Sequence, residues 1–178
     1  MENQMTNEEL EKCINEYGKD IYSFCRHITC NEQEADDLYQ DAFLKAVELQ
    51  EKLDVSHNPK SYILSITLRL WKNRKRKYAW RQRIANIKMM GEEKDFIHME
   101  QEETSLEEEV LRKDRNAQVV HAVQCLPDKL SIIVLLYYME DLSVEEIAKV
   151  VKIPQGTVKS RLYQARKRLK KELEDALL

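Results

Sequence analysis

A run of basic side chains near the end of the chain has the composition of a surface that neutralises phosphate. Between Gly156 and Lys171 there are seven Lys and Arg residues and no Asp or Glu. In the same stretch Val158, Leu162, Ala165 and Leu169 recur at helical spacing, which predicts one buried stripe on a helix whose other faces are polar. An amphipathic helix with a solvated polar face is the simpler interpretation. The excess of positive charge favours a surface for nucleic-acid phosphates.

A second short helix is predicted directly before this basic stretch. Ser143 and Glu146 have the spacing of a capping box, so the helix should begin at Val144. Pro154 disfavours helical backbone in the residue before it, which predicts the end of the helix near Lys152. Two short helices joined by a tight break are the pattern of a helix-turn-helix, whose second helix enters the DNA major groove. The sequence therefore predicts a DNA-binding segment.

No arrangement in the sequence is suited to catalysis or metal binding. The four histidines are scattered, at positions 27, 57, 98 and 121. We find no Ser/His/Asp arrangement and no glycine-rich phosphate loop. The four cysteines show no CxxC pairing and no histidine at zinc-ligand spacing, so reduced thiols are the simplest interpretation. We expect a protein that is not an enzyme and that has no cofactor and no metal.

The net charge of −3 conceals four blocks of alternating sign. Glu32–Glu51 carries seven acids and one base, whereas Lys72–Lys88 carries eight bases and no acid. Glu92–Glu109 carries nine acids and one base, and Gly156–Lys171 is the second basic block. Charge distribution along the chain, rather than the average, decides whether a protein can bind nucleic acid. The two basic blocks remain compatible with DNA binding despite the acidic average.

Composition and periodicity predict an all-α fold with two small helical domains. Only three Gly and three Pro interrupt 178 residues, of which 34% are charged. Hydrophobic residues repeat at helical spacing in an N-terminal domain, residues 8–88, and in a C-terminal helix-turn-helix domain, residues 111–178. Residues 89–110 between them lose this pattern and are densely acidic, which predicts a flexible linker.

Membrane insertion is not expected from this sequence. No run of residues approaches the apolar length of a membrane span, and the polar N-terminus MENQMTNEEL lacks the apolar core of a signal peptide. We expect a cytoplasmic protein.

A predicted helix from about residue 60 to residue 77 has one basic face. Its apolar side carries Ile63, Ile66, Thr67 and Leu70, and its polar side carries Ser65, Arg69, Lys72 and Arg76. Trp71, Tyr78 and Trp80 are interleaved with the bases, a combination that lets single-stranded bases stack while phosphates are neutralised. Aromatic side chains at such positions are more commonly part of a core.

Three motifs together resemble the sigma-70 family of bacterial RNA polymerase sigma factors, in its small extracytoplasmic-function (ECF) group. ADDLYQDAFLKAV (Ala35–Val47) resembles the family's polymerase-docking helix, and SYILSITLRLWKNRKRK (Ser61–Lys77) resembles the helix that melts and reads the −10 element. The stretch Leu126–Leu169 resembles the −35-reading domain, in which GTVKSRL with an upstream EIA is specific among helix-turn-helix proteins.

The resemblance implies three sets of binding residues. Core polymerase would be bound by Asp36, Asp37, Gln40 and Asp41. The −10 DNA would be bound by His57, Asn58, Tyr62, Arg69, Lys72, Asn73 and Arg76. The −35 DNA would be bound by Thr157, Lys159, Ser160, Arg161, Tyr163, Gln164 and Lys167. Family members commonly have Trp, Asn and Asp where this chain has Tyr62, Arg69 and Asn73. The resemblance also implies promoter DNA and an anti-sigma factor, typically membrane-anchored, as partners.

Two other functions would use the same helix-turn-helix. One is a stand-alone transcription regulator whose first half senses a ligand or dimerises, and which reads paired half-sites. The other is an adaptor that binds RNA or sequesters a protein through the basic helices. The basic, aromatic-bearing stretch Lys60–Trp80 favours the sigma factor, because a ligand-sensing domain has no need of it. The acidic set around Asp37 also favours a basic protein partner, since carboxylates repel DNA, although a solvated acidic face is the simpler interpretation.

Overall fold

The computed structural model describes residues 7–49, 58–88 and 107–175, and within them it contains helices and no strands. The described residues form seven α-helices: α1 (Asn7–Thr29), α2 (Glu32–Glu48), α3 (Pro59–Lys88), α4 (Glu107–Gln124), α5 (Asp128–Val134), α6 (Val144–Val151) and α7 (Gln155–Asp175). A π-helical turn (Leu135–Met139) continues α5. The all-α prediction is confirmed. Most of the predicted linker lies outside the described residues, and α4 begins inside its predicted range.

Helices α1, α2 and α3 pack on one another and form the N-terminal half. Ile21, Phe24 and Leu38 are completely buried between them. Helix α2 begins with the backbone N–H of Glu34 donating to the Asn31 side chain at 2.9 Å, an N-cap that satisfies one of the helix's first free donors. The helix predicted from about residue 60 to residue 77 is present as α3, but it continues beyond the predicted end to Lys88.

The close approach of α2 explains why a glycine, Gly18, stands in the middle of α1. A Cβ atom at this position would lie 2.9 Å from the Tyr39 hydroxyl. That is closer than a methyl group and a hydroxyl oxygen can approach without a shift. Glycine therefore allows the Tyr39 ring to pack across α1.

Helices α4 to α7 form the C-terminal half, and the predicted helix-turn-helix is present as α6 and α7. Ser143 accepts from the Glu146 backbone N–H at 3.2 Å, and the Glu146 carboxylate accepts from the Ser143 N–H at 2.9 Å. Lys152 ends α6 in the left-handed conformation, with φ of 59°. In the stripe predicted on the second helix, Val158, Leu162 and Ala165 are buried, and Leu169 is half-buried. The predicted start and end of α6 and the predicted inward face of α7 are thus confirmed.

The two halves pack against each other through α3 and α6. Helix α3 is also buried on a wider surface than its periodicity predicts. Leu64, Leu68 and Trp71 are buried in addition to the predicted apolar side. Trp71 is only 7% exposed, so it belongs to the core, which is the more common place for an aromatic side chain at such a position. We refer below to this packing of α3 on α6 as the closed arrangement.

Candidate nucleic-acid and polymerase interfaces

Helix α7 presents its polar residues on the side opposite the buried stripe. Lys159, Ser160, Tyr163, Gln164 and Lys167 are exposed, and Thr157 and Arg161 are half-buried. These seven residues are the set predicted to contact −35 DNA. One helix face therefore carries hydroxyl, amide and cationic groups, which are the side chains that hydrogen-bond to base edges and phosphates.

Arg166, one of the basic residues of α7, makes contacts outside its own helix. Arg166 Nε donates to the Tyr138 hydroxyl at 2.7 Å, and its guanidinium lies over the Tyr137 and Tyr138 rings at 5.6 and 5.7 Å. These contacts tie α7 to the π-helical turn. In the sequence, Arg166 was counted among the basic residues that could neutralise phosphates. Its contact with Tyr137 and Tyr138 is seen only in the folded protein.

The basic face of α3, which we define as Arg69, Lys72 and Arg76 with Tyr62 and Asn73, borders a cleft of about 520 Å³. The three bases are exposed, and the other two residues are half-buried. Arg76 donates to the Asn73 side-chain oxygen at 2.8 Å, and burial raises the pKa of the Tyr62 hydroxyl. The opposite wall of the cleft is formed by Val150, Val151 and Lys152 at the end of α6. The structure thus brings five of the seven predicted −10 residues together.

The two remaining predicted −10 residues precede α3. His57 lies outside the described residues. Asn58 is exposed, and its side-chain amide donates to Glu146 Oε1 of α6 at 2.9 Å. This hydrogen bond is the main cause of a lowered pKa at Glu146. In the closed arrangement Asn58 is therefore engaged by the other half of the chain.

The C-terminal end of α3 exposes aromatic rings among basic side chains. Tyr78 and Trp80 are 65% and 64% exposed, and Gln82 donates to the Tyr78 hydroxyl at 2.8 Å. Large exposed rings beside cations can stack on unpaired bases. Two of the three interleaved aromatic residues therefore remain available for the predicted contact with single-stranded DNA.

The acidic face of α2, defined as Asp36, Asp37, Gln40 and Asp41, is exposed along its whole length. Two of its carboxylates have partners inside the N-terminal half. Asp36 accepts from the Tyr22 hydroxyl at 2.7 Å, and Asp41 forms an ion pair with Arg74. Asp37 and Gln40 lie between them on the same exposed surface.

An apolar extension of this face was missed in the sequence. Leu44 is 63% exposed and Val47 is 46% exposed, one and two turns beyond Gln40. Exposed apolar side chains gain nothing from contact with phosphate, whereas a protein partner can remove them from water. The sequence did contain a signal, since Leu44 is an apolar residue that falls outside the helical stripe of Leu38, Ala42 and Ala46.

Metal binding and membrane spanning find no support in the described structure. Within residues 7–49, 58–88 and 107–175, the His, Cys, Asp and Glu side chains form no cluster of three or more that could hold a metal ion. In those same ranges, no helix has both the length and the apolar character needed to cross a bilayer.

Two family models match the chain, one in each half. Sigma-70 region 2 matches residues 13–81, and Sigma-70 region 4 matches residues 116–169. The sigma-H factor of Pseudomonas aeruginosa is 31% identical over 148 residues, which are 82% of this chain and 76% of the relative. The ECF sigma factor SigW of Bacillus subtilis is 27% identical over 163 residues, covering 89% of this chain and 86% of the relative.

Solved structures share the fold. The sigma factor RpoE of Bartonella quintana, in complex with the anti-sigma factor NepR, has a TM-score of 0.74 at 22% identity and covers 94% of this chain and 98% of its own. CnrH, in complex with the cytosolic domain of CnrY, has a TM-score of 0.67 at 18% identity and covers 96% and 90%. With both family regions in order on one all-helical chain, the protein belongs to the sigma-70 family of RNA polymerase sigma factors, in the extracytoplasmic-function group.

Proposed function

We propose that this chain is a promoter-specificity subunit, which binds core RNA polymerase and directs it to promoters for the initiation of transcription. The observation that carries the proposal is the presence of both family regions in one chain, each with its own basic face. We assign residues 8–88 to core binding and the −10 element, 89–110 to an acidic linker, and 111–178 to the −35 element. Choosing a promoter requires binding energy and no bond chemistry from the factor, so we infer that the chain is not an enzyme.

The −35 contact is assigned to the exposed side of α7. Hydrogen bonds to base edges specify sequence, whereas contacts to phosphates fix position and are independent of sequence. We assign base contacts to Ser160, Arg161 and Gln164, and phosphate contacts to Lys159 and Lys167. Thr157 and Tyr163 flank these residues on the same side of the helix.

The −10 contact is assigned to the basic face of α3 and the residues before it. The three basic side chains neutralise the strand backbone, and Tyr62 and Asn73 line the same cleft, where they can hydrogen-bond to a base edge. The exposed rings of Tyr78 and Trp80 add stacking surface further along α3. His57 and Asn58 are assigned to the same strand, because both side chains can hydrogen-bond to a base that has left the stack.

Polymerase docking is assigned to α2, through the acidic face with Leu44 and Val47. Exposed carboxylates beside exposed apolar side chains suit a basic protein surface, because charge complementarity orients the partners and the apolar area adds affinity. The match of this segment to Sigma-70 region 2 supports the assignment.

We infer that a protein antagonist holds this factor inactive, and that the chain works in the cytoplasm with the polymerase. The support is the likeness in fold to RpoE and CnrH, each of which was solved with a protein partner, the anti-sigma factor NepR and the cytosolic domain of CnrY.

Gel filtration with purified core polymerase, followed by transcription from a genomic template library, tests the function. We expect co-elution as a one-to-one complex and start sites that depend on the added chain. A stand-alone regulator would bind DNA half-sites without co-eluting, and an RNA-binding adaptor would give no new start sites. Either result would overturn the proposal.

A further inference from the structure

The cleft between α3 and α6 has the size and the apolar walls of a small-molecule site. Its volume of about 520 Å³ lies within the range of roughly 300 to 1,000 Å³ that is common for ligand sites in proteins. Ile66 and Leu68 of α3 and Val150 and Val151 of α6 give it apolar walls. Such walls remove the uncharged body of a ligand from water, which favours binding.

Four cationic side chains line the same cleft. Arg69, Lys72 and Arg76 follow one another on α3 at spacings of three and four residues, so they lie on one face over about 10 Å of helix. Arg76 donates to the Asn73 side-chain oxygen at 2.8 Å, and Lys152 adds the fourth charge from α6. Asp and Glu are absent from the lining that the structure describes. This excess of positive charge suits a ligand with several negative charges, and phosphate groups match guanidinium and ammonium donors best.

Lys152 has a backbone conformation that glycine would adopt more easily. It is the C-cap of α6, with φ of 59°, and its backbone N–H donates to the Ala148 carbonyl. Residues other than glycine are uncommon in this left-handed region, and glycine is the usual residue for such a cap. The backbone therefore does not explain a lysine at this position, whereas a charge at the cleft does.

A polar cavity of about 380 Å³ adjoins the cleft, and Tyr62, Ser65 and Val150 line both spaces. In the polar cavity, Ser61 Oγ is buried and has no hydrogen-bond partner among the residues that the structure describes. Unpaired buried polar atoms are few in folded proteins, and a ligand can supply the missing partner. The Glu146 carboxylate lines the same cavity and can accept from N–H donors. These groups suit the polar edge of a planar ring such as a nucleobase.

The chemistry of the two spaces changes in one direction along α3. Hydroxyl groups stand at positions 61 and 65, apolar side chains at 66 and 68, and cations from 69 to 76. A nucleoside polyphosphate has the same order, from the polar edge of its base through the ring and sugar to its phosphates. The −10 strand does not account for this arrangement, because Val150, Val151 and Lys152 belong to the half that we assign to the −35 element.

We propose that the cleft and the polar cavity together bind a nucleoside polyphosphate, with the base in the polar cavity and the phosphates at the four cations. Arg69, Lys72 and Arg76 are also assigned to the −10 strand, so the bound nucleotide competes with that strand. The competition rests on the proposed function, whereas the binding site does not.

Isothermal titration calorimetry of the full chain tests the site, at physiological salt to screen non-specific attraction between exposed charges. The probe is GTP, because guanine carries an N2–H₂ donor that the Glu146 carboxylate can accept. Inorganic tripolyphosphate is the comparison without a base. We expect one GTP per chain, bound at least about tenfold more tightly than tripolyphosphate, since burial of about 60 Å² of apolar nucleoside surface suffices for that difference. Equal affinities, or no binding of GTP, would overturn the proposal.

Lys152→Gly tests the contribution of α6 without changing α3. Glycine adopts the left-handed cap freely, so the variant loses the cation and keeps the helix end. We expect GTP and tripolyphosphate to bind about tenfold more weakly, as for the loss of one hydrogen bond to a charged group. The control is Asp141→Gly, which changes an exposed residue with φ of 55° outside both spaces and should leave both affinities unchanged. Equal GTP affinities for the two variants would exclude α6 from the site and overturn the proposal.

Ser61→Ala tests the base end of the site. Removing a hydroxyl without a partner costs the fold little, so thermal unfolding followed by circular dichroism should match that of wild type. We expect GTP to bind about fivefold more weakly, through loss of one neutral hydrogen bond, and tripolyphosphate to bind as before. An unchanged GTP affinity, or an equal loss for both probes, would contradict the placement of the base.

Competition with DNA is measured by displacement of a fluorescent random single-stranded 20-mer from the free chain. GTP should release the 20-mer from wild type, and Lys152→Gly should need about tenfold more GTP for the same release. GTP that binds in the calorimeter but leaves the 20-mer bound would overturn the competition. Gel filtration with core polymerase contains no nucleotide, so failure of the proposed function is distinguishable from failure of the nucleotide site.

Discussion

At the scale of single residues, we expect different side chains of α7 to contact base edges and phosphates. Arg161→Ala or Gln164→Ala should shift the preferred −35 sequence, because a lost base contact costs roughly 1 to 3 kcal/mol of discrimination. Lys167→Ala should instead weaken binding to all sequences alike and lower the salt dependence. Binding-site selection with the three variants in holoenzyme measures this. The same preferred −35 sequence for all three would show that these side chains do not read bases.

The cysteines provide a second test at the residue scale. Burial raises the pKa of the Cys25 thiol to about 12, and the side chain is completely buried. Cys30 and Cys125 are exposed, and burial raises the pKa of Cys30. Because the thiolate is the reactive species, native protein at pH 8 should be alkylated first at Cys125, then at Cys30, and not at Cys25. Peptide mass mapping gives the order, and early labelling of Cys25 would contradict its burial.

At the scale of elements, α2 should act as a docking surface whose loss leaves the fold intact. Asp37→Arg with Gln40→Ala should weaken binding to core polymerase by about tenfold or more, because charge reversal repels a basic partner. Helical content should not change, since both side chains are exposed. Fluorescence titration measures the affinity, with the exposed Glu16→Arg on α1 as control. Equal affinities for the two variants would remove α2 from the interface.

Helix α6 depends on its capping box. Ser143→Ala should lower the free energy of unfolding by about 1 kcal/mol, because it leaves the Glu146 backbone N–H without its side-chain acceptor. Glu145→Ala is the control, since its exposed ion pair with Lys149 is worth about 0.3 to 0.5 kcal/mol. Urea unfolding followed by circular dichroism compares them. If Ser143→Ala were no more destabilising than Glu145→Ala, the capping box would not be what fixes the start of α6.

At the scale of the whole molecule, a change in the packing of the two halves should accompany polymerase binding. Cys30 and Gln124 line one small cavity between the halves, so dyes on the exposed Cys30 and Cys125 should be close in the free protein. Energy transfer between them should fall when core polymerase is added. The Asp37→Arg/Gln40→Ala variant, labelled in the same way, should show a smaller change. Transfer that stays constant at saturating polymerase would mean that the halves do not separate.

The alternating charge blocks take on a structural meaning in the folded chain. Lys75 from the first basic block pairs with Asp128, and Arg74 pairs with Asp41 of the first acidic block. Both pairs are exposed, so each contributes little to stability. Each pair joins a basic residue of α3 to an acidic residue of a neighbouring helix.

The sequence by itself determined what depends on local or periodic signals. The start of α6 followed from Ser143 and Glu146, its end from Pro154, and the inward face of α7 from the spacing of Val158 and Leu162. Caps, turns and helical periodicity act within a few residues, so they can be read without a fold. The family motifs are equally local, which is why they were visible in both halves.

Only the tertiary structure decided what depends on contacts between distant residues. Helix α3 packs on α6 as well as on α1 and α2. Trp71 is buried where it borders a small cavity with Ile28 of α1 and Ile132 of α5, and its basic neighbours in the sequence gave no sign of these contacts. Lys60 and Glu140 are 80 residues apart, and nothing in their local sequence distinguishes them from surface charges. Local sequence signals predict the helices of each half separately. The pairing of Lys60 with Glu140 depends on how the two halves pack against each other, so it appears only when the chain is folded.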